Sequence, residues 1–294
     1  MGETAVYRVV HETRYTYSDT VTSAHQLGHL RPRATKWQKI KSHKLAIAPK
    51  PVEQITGADY FGNEVMRFMV DTPHNELTVR AESVVEVASH APAPAADSPP
   101  WEKVRVAPGD WGPGVDIDVE EFRFGSPMAP ILEEAEAYGR DSFKDGRPWL
   151  EAIVELTTRI RKDFVYDPKA TTVTTRVAEV LASRRGVCQD FAHLMISCLR
   201  SLGLPARYVS GYILNRPKPG AARTLGADAS HAWVAGYCPG LGWVACDPTN
   251  GKLADLEFVT LGWGREFSDV TPLRGVVLGA ATQTLAVEVK VQPL

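Results

Sequence analysis

The stretch Arg184-Arg185-Gly186-Val187-Cys188-Gln189-Asp190-Phe191-Ala192-His193 decides how this chain folds. It runs from the end of one helix, through a glycine turn, into a second helix that opens on a cysteine. From 188 to 202 the apolar residues fall at Phe191, Leu194, Met195, Cys198, Leu199 and Leu202, a helical stripe that stops at Gly203. Cys188 thus lies in a first helical turn, where unpaired backbone N–H groups and the helix dipole favour a thiolate, the nucleophilic form. A cysteine near a helix start is also an ordinary small buried hydrophobe, so Cys188 alone settles nothing.

Downstream, Ser230-His231-Ala232-Trp233-Val234 and Gly242-Trp243-Val244-Ala245-Cys246-Asp247-Pro248-Thr249-Asn250 read as neighbouring strands. His231 begins one strand and Asp247 ends the next. A cysteine on a helix start, a histidine on one strand and an aspartate on its neighbour can form a thiol triad. The histidine takes the thiol proton and returns it to a leaving amine, while the aspartate fixes the imidazole tautomer and stabilises its cation. Taken singly, His231 is a strand-end histidine and Asp247-Pro248 is turn chemistry.

Upstream, alternation through Tyr7, Val9, His11, Thr13, Tyr15 and Tyr17 marks a first strand. Extended segments follow at 25–31, 39–48, 65–70 and 77–87, with no helix among them. Residues 1–90 are therefore expected to form an antiparallel β domain. Residues 91–127 are rich in Pro and Gly and read as a linker. From 128 the period becomes helical: helices open at Pro130 and Pro148, and a third spans 176–184. Strands are expected at 206–214, 231–237, 242–247 and 285–291. Residues 128–294 form the expected α+β core. Residues 215–229, a long basic loop ending two residues before His231, are expected to border the site.

The 294 residues are 44% hydrophobic, ample for a substantial core, and carry a formal net charge of −2, which argues against wholesale nucleic-acid binding. Charge is uneven: residues 1–50 hold nine Lys/Arg against three acids, and residues 101–160 hold seven against thirteen. No run of 18 apolar residues exists to span a membrane, and the N-terminus shows no secretion signal. Cys188, Cys198, Cys238 and Cys246 show neither metal spacing nor a disulfide framework, as befits reduced thiols in a cytoplasmic protein. Four histidines (11, 25, 29 and 43) fall in the first fifty residues without a ligand-spaced partner, so no metal is expected.

Gly186-Val187-Cys188-Gln189-Asp190-Phe191-Ala192-His193, Ser230-His231-Ala232-Trp233 and Gly242-Trp243…Asp247-Pro248-Thr249-Asn250 together resemble the core of the bacterial transglutaminase-like superfamily, over about residues 150–251. His11–Tyr17, Leu30-Arg31-Pro32-Arg33 and Phe61-Gly62-Asn63 are similar to the β-rich N-terminal region of one bacterial branch, whose members are usually regarded as candidate cysteine proteases. The resemblance implies a papain-like α+β core with Cys188 as nucleophile, His231 as base and Asp247 as orienter. It also places the cleft edge near Asp167-Pro168, which makes Tyr166 a candidate second oxyanion donor beside the Cys188 N–H. Tyr166 is equally readable as a core-packed tyrosine. Gln189, Asp190, His193 and Trp233 are read as support residues.

The expected function is hydrolysis of an amide bond in a peptide or glutamine-like substrate through a Cys188 thioester, without a cofactor. Acyl transfer to an amine shares that thioester. Arylamine acetyl transfer from coenzyme A uses a similar triad, but the His231–Asp247 hairpin suits it less well. A non-enzymatic binding module with a vestigial site is the remaining alternative, against which the intact triad counts. The substrate, the role of the β domain and the oligomeric state are not legible in the sequence.

Overall fold

The structure, a computed structural model, describes residues 3–90, 98–105, 116–214, 230–279 and 282–294. The first part of the chain forms six strands: β1 (Thr4–Val21), β2 (Ser23–Gly28), β3 (Gln38–Ala48), β4 (Glu53–Ala58), β5 (Glu64–Val70) and β6 (His74–Ala88). The core then contributes α1 (Ile117–Glu120), α2 (Glu133–Arg140), α3 (Trp149–Asp163), β7 (Val165–Tyr166), α4 (Val177–Ser183), β8 (Arg185–Gly186) and α5 (Cys188–Ser201). It continues with β9 (Ala206–Ile213), β10 (His231–Cys238), β11 (Gly242–Asp247), β12 (Lys252–Leu253) and β13 (Phe258–Gly264), and the chain ends with β14 (Leu273–Leu278) and β15 (Gln283–Pro293). The protein is thus α+β, as the sequence pattern predicts.

Two four-stranded sheets, ordered β15-β1-β6-β3 and β14-β2-β5-β4, make up the N-terminal region. Their facing sides bury Tyr15, Tyr17, Leu30, Phe68, Val70, Leu77 and Val79. The core sheet runs β12-β11-β10-β9-β13. α5 is buried along nearly its whole length and packs with α3 on one face of that sheet, where Leu194, Met195 and Leu199 meet Ile153, Leu156 and Val234. Because both faces of the sheet are covered, β9 and β10 are buried almost throughout rather than alternating.

The sheets divide the chain differently from the expected boundary at 128. β14 pairs antiparallel with β2 and β15 with β1, so the last two strands complete the N-terminal sheets. β13, not expected from the sequence, closes the core sheet against β9. β4 is also unexpected; all six of its residues are exposed at a sheet edge, so it has no buried face to produce alternation.

Two amides fasten the halves together. Asn63 Nδ2 donates to the Trp263 carbonyl at 2.8 Å, and the Trp263 N–H donates to Asn63 Oδ1 at 3.0 Å. Gln38 Nε2 donates to the Thr260 carbonyl at 2.7 Å, and the Thr260 N–H donates to Gln38 Oε1 at 2.8 Å. The register of β13 shifts between Thr260 and Gly262, and these amides satisfy the backbone on either side of the irregularity. Tyr7, Val9, Val85 and Val87 from the N-terminal sheets share one apolar cluster with Tyr212, Val259 and Leu261 from the core.

The described parts of the 91–127 stretch are structured rather than extended spacer. Trp101 is 1% exposed and packs edge-on against Phe143, and Ser98 Oγ accepts the Leu150 N–H at the start of α3. Phe122 is buried as well. The segment is anchored by Arg200, a fully buried guanidinium on α5. Its Nε donates to the Phe122 carbonyl at 3.0 Å, Nη1 to Ser126 Oγ at 3.1 Å, and Nη2 to the Arg265 and Ala206 carbonyls at 2.8 and 3.0 Å. Arg200→Met keeps the volume but orphans these acceptors. It is expected to lower unfolding free energy by about 3 kcal/mol or more in urea titrations, whereas Met substitution of the exposed Arg14 should change it by less than about 0.5 kcal/mol.

Candidate active site

Cys188 is positioned by short-range constraints on both sides. α4 ends at Ser183, and Arg184 turns the chain in a left-handed conformation with φ 56°. The Arg184 guanidinium lies over Phe164 and Tyr138, at 4.7 and 5.0 Å from their ring centroids. β8 then runs parallel to β7, which pairs Tyr166 with Gly186. A Cβ on Gly186 would stand 2.8 Å from Asp190 Oδ2 and 2.9 Å from Asp190 Cβ, so this approach requires glycine.

Asp190 is the reason for that approach. Its Oδ2 accepts the Val187 N–H at 2.8 Å and the Thr171 hydroxyl at 2.6 Å. Val187, at the N-cap, has no side-chain acceptor of its own, so the carboxylate three residues on satisfies the helix start from within. Burial pushes the Asp190 pKa up, and the two hydrogen bonds oppose that. Gln189 Nε2 donates to the Val173 carbonyl at 3.1 Å. Both residues therefore tie the 171–173 segment to the helix bearing Cys188. His193 is buried, and its Nε2 accepts the Phe267 N–H at 3.1 Å. Burial lowers its pKa to about 4, so it is neutral and joins α5 to the segment before β14.

His231 and Asp247 lie on adjacent strands of one hairpin, and both side chains are wholly buried. His231 Nε2 is 2.9 Å from Asp247 Oδ2. Asp247 also accepts the Asn250 side-chain N–H on Oδ2 at 2.7 Å, and the Thr249 and Asn250 backbone N–H groups on Oδ1 at 2.9 and 3.2 Å. Asp247-Pro248-Thr249-Asn250 is thus a turn folded around its own carboxylate. Burial alone would raise the Asp247 pKa, but the His231 charge and the hydrogen bonds hold it below the usual carboxylate range.

Burial alone would lower the His231 pKa; the Asp247 carboxylate outweighs it, and the neighbouring Cys188 thiol adds to the rise. The imidazolium is therefore the favoured form. His231 Nδ1 is buried with no hydrogen-bond partner of ordinary geometry. Since Nε2 belongs to Asp247, Nδ1 is the nitrogen left for the thiol, which lies within interacting reach of the ring. Cys188 is the partly exposed cysteine; Cys198, Cys238 and Cys246 are buried.

Trp233, read as a support residue, is 1% exposed and lies 6.1 Å from the His231 ring, centroid to centroid. Phe258 stands 6.3 Å from the same ring and packs edge-on against Trp233. Phe258 and Asn250 are not among the site residues expected from the sequence. Phe258 carries no local signal, because it reaches His231 only through the β13–β9 pairing; Asn250 lies within the Asp247–Asn250 motif. Tyr166 is half-buried and packs on the same apolar cluster as Cys188. Among the described residues no group of His, Cys, Asp or Glu could hold a metal ion. The 215–229 loop lies outside the described residues.

Residues 7–86 match the model of the bacterial transglutaminase-like N-terminal region, and residues 137–248 match that of the transglutaminase-like superfamily. An uncharacterized protein of Mycobacterium tuberculosis is 41% identical over 280 residues, covering 92% of this chain and 87% of that protein. A solved structure from Cytophaga hutchinsonii, described as a "Putative Cysteine Protease", superposes with a TM-score of 0.78 at 19% identity, covering 99% of this chain and 91% of that one. A protein-glutamine gamma-glutamyltransferase of Pseudomonas aeruginosa is 38% identical over 68 residues, 23% of this chain and 10% of that protein. The two matched regions take in the six strands β1–β6 of the N-terminal sheets and the helices and hairpin that carry Cys188, His231 and Asp247, and the chain belongs to the transglutaminase-like superfamily.

Proposed function

We propose that the protein is a thiol-dependent amide-bond hydrolase acting through Cys188, His231 and Asp247. The carrying observation is the buried His231–Asp247 pair, which leaves one imidazole nitrogen for a thiol on a helix start. In this reading His231 Nδ1 holds the Cys188 proton and the thiolate attacks the substrate carbonyl carbon. The oxyanion is met by the Cys188 N–H, with Tyr166 as the second donor. The imidazolium returns its proton to the leaving nitrogen as the C–N bond breaks, which leaves a thioester. Water, deprotonated by the same imidazole, then releases the acid and frees the thiol.

Acyl transfer is the second reading, supported by the short similarity to a protein-glutamine gamma-glutamyltransferase. Both reactions share the thioester and differ in what resolves it. With glutamine-containing peptides, hydrolysis releases ammonia without incorporating a labelled primary amine, whereas transfer incorporates the amine in place of forming acid product. Release of neither ammonia nor a cleaved peptide, with no amine incorporated from a broad peptide library, would remove both readings. It would favour the binding module.

Cys188 is expected to be the thiol that reacts first. Burial pushes Cys198 and Cys246 up to about 12 and Cys238 up to about 11, which suppresses their thiolates and their access to reagent. Limited iodoacetamide treatment near pH 6, followed by peptide mass mapping, should label Cys188 well ahead of the other three. Faster labelling of any other cysteine is the result incompatible with the assignment.

Asp247→Asn should act on pH dependence and on stability together. The folded chain holds the His231 proton more tightly than the unfolded chain. That stabilisation is complete below the unfolded value of about 6.5 and is lost as pH rises through the raised folded pKa. Asp247, with its lowered pKa, stabilises above about 3.9, and this contribution is lost as pH falls through the folded value. Removing the carboxylate leaves burial to depress the imidazole pKa. The alkaline limb of kcat/KM should therefore move to lower pH, with a rate loss of roughly 10²–10⁴. The unfolding free energy at pH 7 should fall by about 3–5 kcal/mol, because the introduced amide would sit buried opposite donors that a carboxylate satisfies. An unshifted alkaline limb would exclude Asp247 as the orienting group.

A further inference from the structure

On the sheet face opposite α5, between β9–β11 and the loops of the N-terminal sheets, lies a cavity of about 690 Å³. Neither Cys188 nor His231 lines it. Its walls include Trp233, Trp243, Trp263, Phe258 and Phe122, and its floor carries Arg207. The size and apolar walls suit a small organic molecule.

Among the described residues, Arg207 has no carboxylate to explain its place there. Its guanidinium is held between two indoles, 4.2 Å from the Trp243 centroid and 3.8 Å from the Trp263 centroid. Nε is buried without a hydrogen-bond partner. Burial pushes the Arg207 pKa well down, the neighbouring Arg33 adds to this, and no carboxylate opposes it. Arg33 lies over the same Trp263 ring, at 3.6 Å, so two guanidiniums converge on one indole. Arg33 at least donates to the Phe61 carbonyl and to Asn63 Oδ1, both at 2.7 Å. The acidic lining residues Asp116 and Asp118 are exposed at the mouth, and Glu121 is partly buried beside Tyr60.

A half-buried cation with a buried, unpartnered Nε and no counter-ion among the described residues is costly. The arrangement becomes favourable when an anion enters: stacking on the indoles occupies the faces of the Arg207 guanidinium and leaves its N–H edge available for a bidentate carboxylate. We infer that this cavity is a second ligand site, separate from Cys188, for a small carboxylate attached to a flat apolar body. Arg207 binds the carboxylate, and Trp243, Trp263 and Phe258 enclose the body. Trp233 and Phe258 form the partition between this ligand and the His231 ring.

Isothermal titration calorimetry of the full chain with 2-naphthoate and with its neutral counterpart 2-naphthalenemethanol tests the assignment. Naphthoate should bind about tenfold or more tightly than the alcohol, since the two differ only in the charged group. Arg207→Met should reduce naphthoate affinity to that of the alcohol. Prior alkylation of Cys188 with iodoacetamide should leave naphthoate binding unchanged. The site is wrong if naphthoate does not bind, if acid and alcohol bind alike, or if Arg207→Met binds naphthoate as tightly as the unsubstituted chain. Loss of binding on alkylation would overturn it too, by assigning the ligand to the Cys188 cleft. Should Arg207→Met fail to fold, the acid–alcohol comparison and the alkylation control decide with the unsubstituted chain alone.

Discussion

A carboxylate removed entirely from water must be met by hydrogen-bond donors, and Asp247 imposes that demand on the structure around it. It accepts from the His231 ring, the Thr249 and Asn250 backbone and the Asn250 side chain. Three of these donors come from the two residues after Pro248, so the tail of β11 is bent by its own side chain. The fourth fixes the imidazole. Because β10 and β11 are joined by a tight hairpin, the first residue of one and the last of the other come together without long-range ordering. The charge is therefore tolerable at this place in the fold and at few others.

The N-terminal sheets help keep that place dry. Asn63 and Gln38 hold the irregular part of β13, and β13 delivers Phe258 to the His231 ring. The loops bearing Arg33 and Asn63 thus act on the triad at one remove, by fixing the strand that carries its aromatic wall. A core sheet cut off from these sheets would expose the clustered side chains of Val259 and Leu261 and free the backbone of β13. The buried histidine would then face water that its pairing with Asp247 is arranged to exclude. The N-terminal region is in this sense part of the structure around His231, although it supplies none of Cys188, His231 and Asp247.

Local chemistry is legible in the sequence wherever one short segment carries the whole constraint. The stripe from Phe191 to Leu202 marks α5, and Asp247-Pro248-Thr249-Asn250 marks the turn after β11, because helix periodicity and turn chemistry act over a few residues. Signals spread over distant residues are not legible. β14 and β15 find their partners some 250 residues away in β2 and β1, and only the pairing shows that they belong there. β4 is invisible for lack of a buried face. Trp101 and Phe122 sit in a stretch whose prolines and glycines read as spacer, yet Trp101 packs on Phe143 and Phe122 on Phe61 and Trp243, none adjacent in sequence. A triad also reads the same in sequence whether its acid and base are wet or dry, and here His231 and Asp247 are both dry.

That dryness alters how the site should be understood energetically. An exposed Cys–His–Asp set could lose its aspartate and keep its fold; here the imidazolium, the carboxylate and the turn are one buried unit, so a single substitution at Asp247 disturbs the His231 proton and the local structure together. Asp190 behaves differently. It satisfies the Val187 N–H at the start of α5 and holds Thr171, and it touches neither His231 nor Asp247. Disturbing it should move Cys188 relative to a His231 that stays in place. Gly186 enforces the same division from the other side, since any side chain there collides with Asp190 before it reaches the hairpin. Cys188 is thus set by the helix start and the β7–β8 pair, and His231 by the hairpin. The packing of α5 and α3 on the core sheet brings the two together.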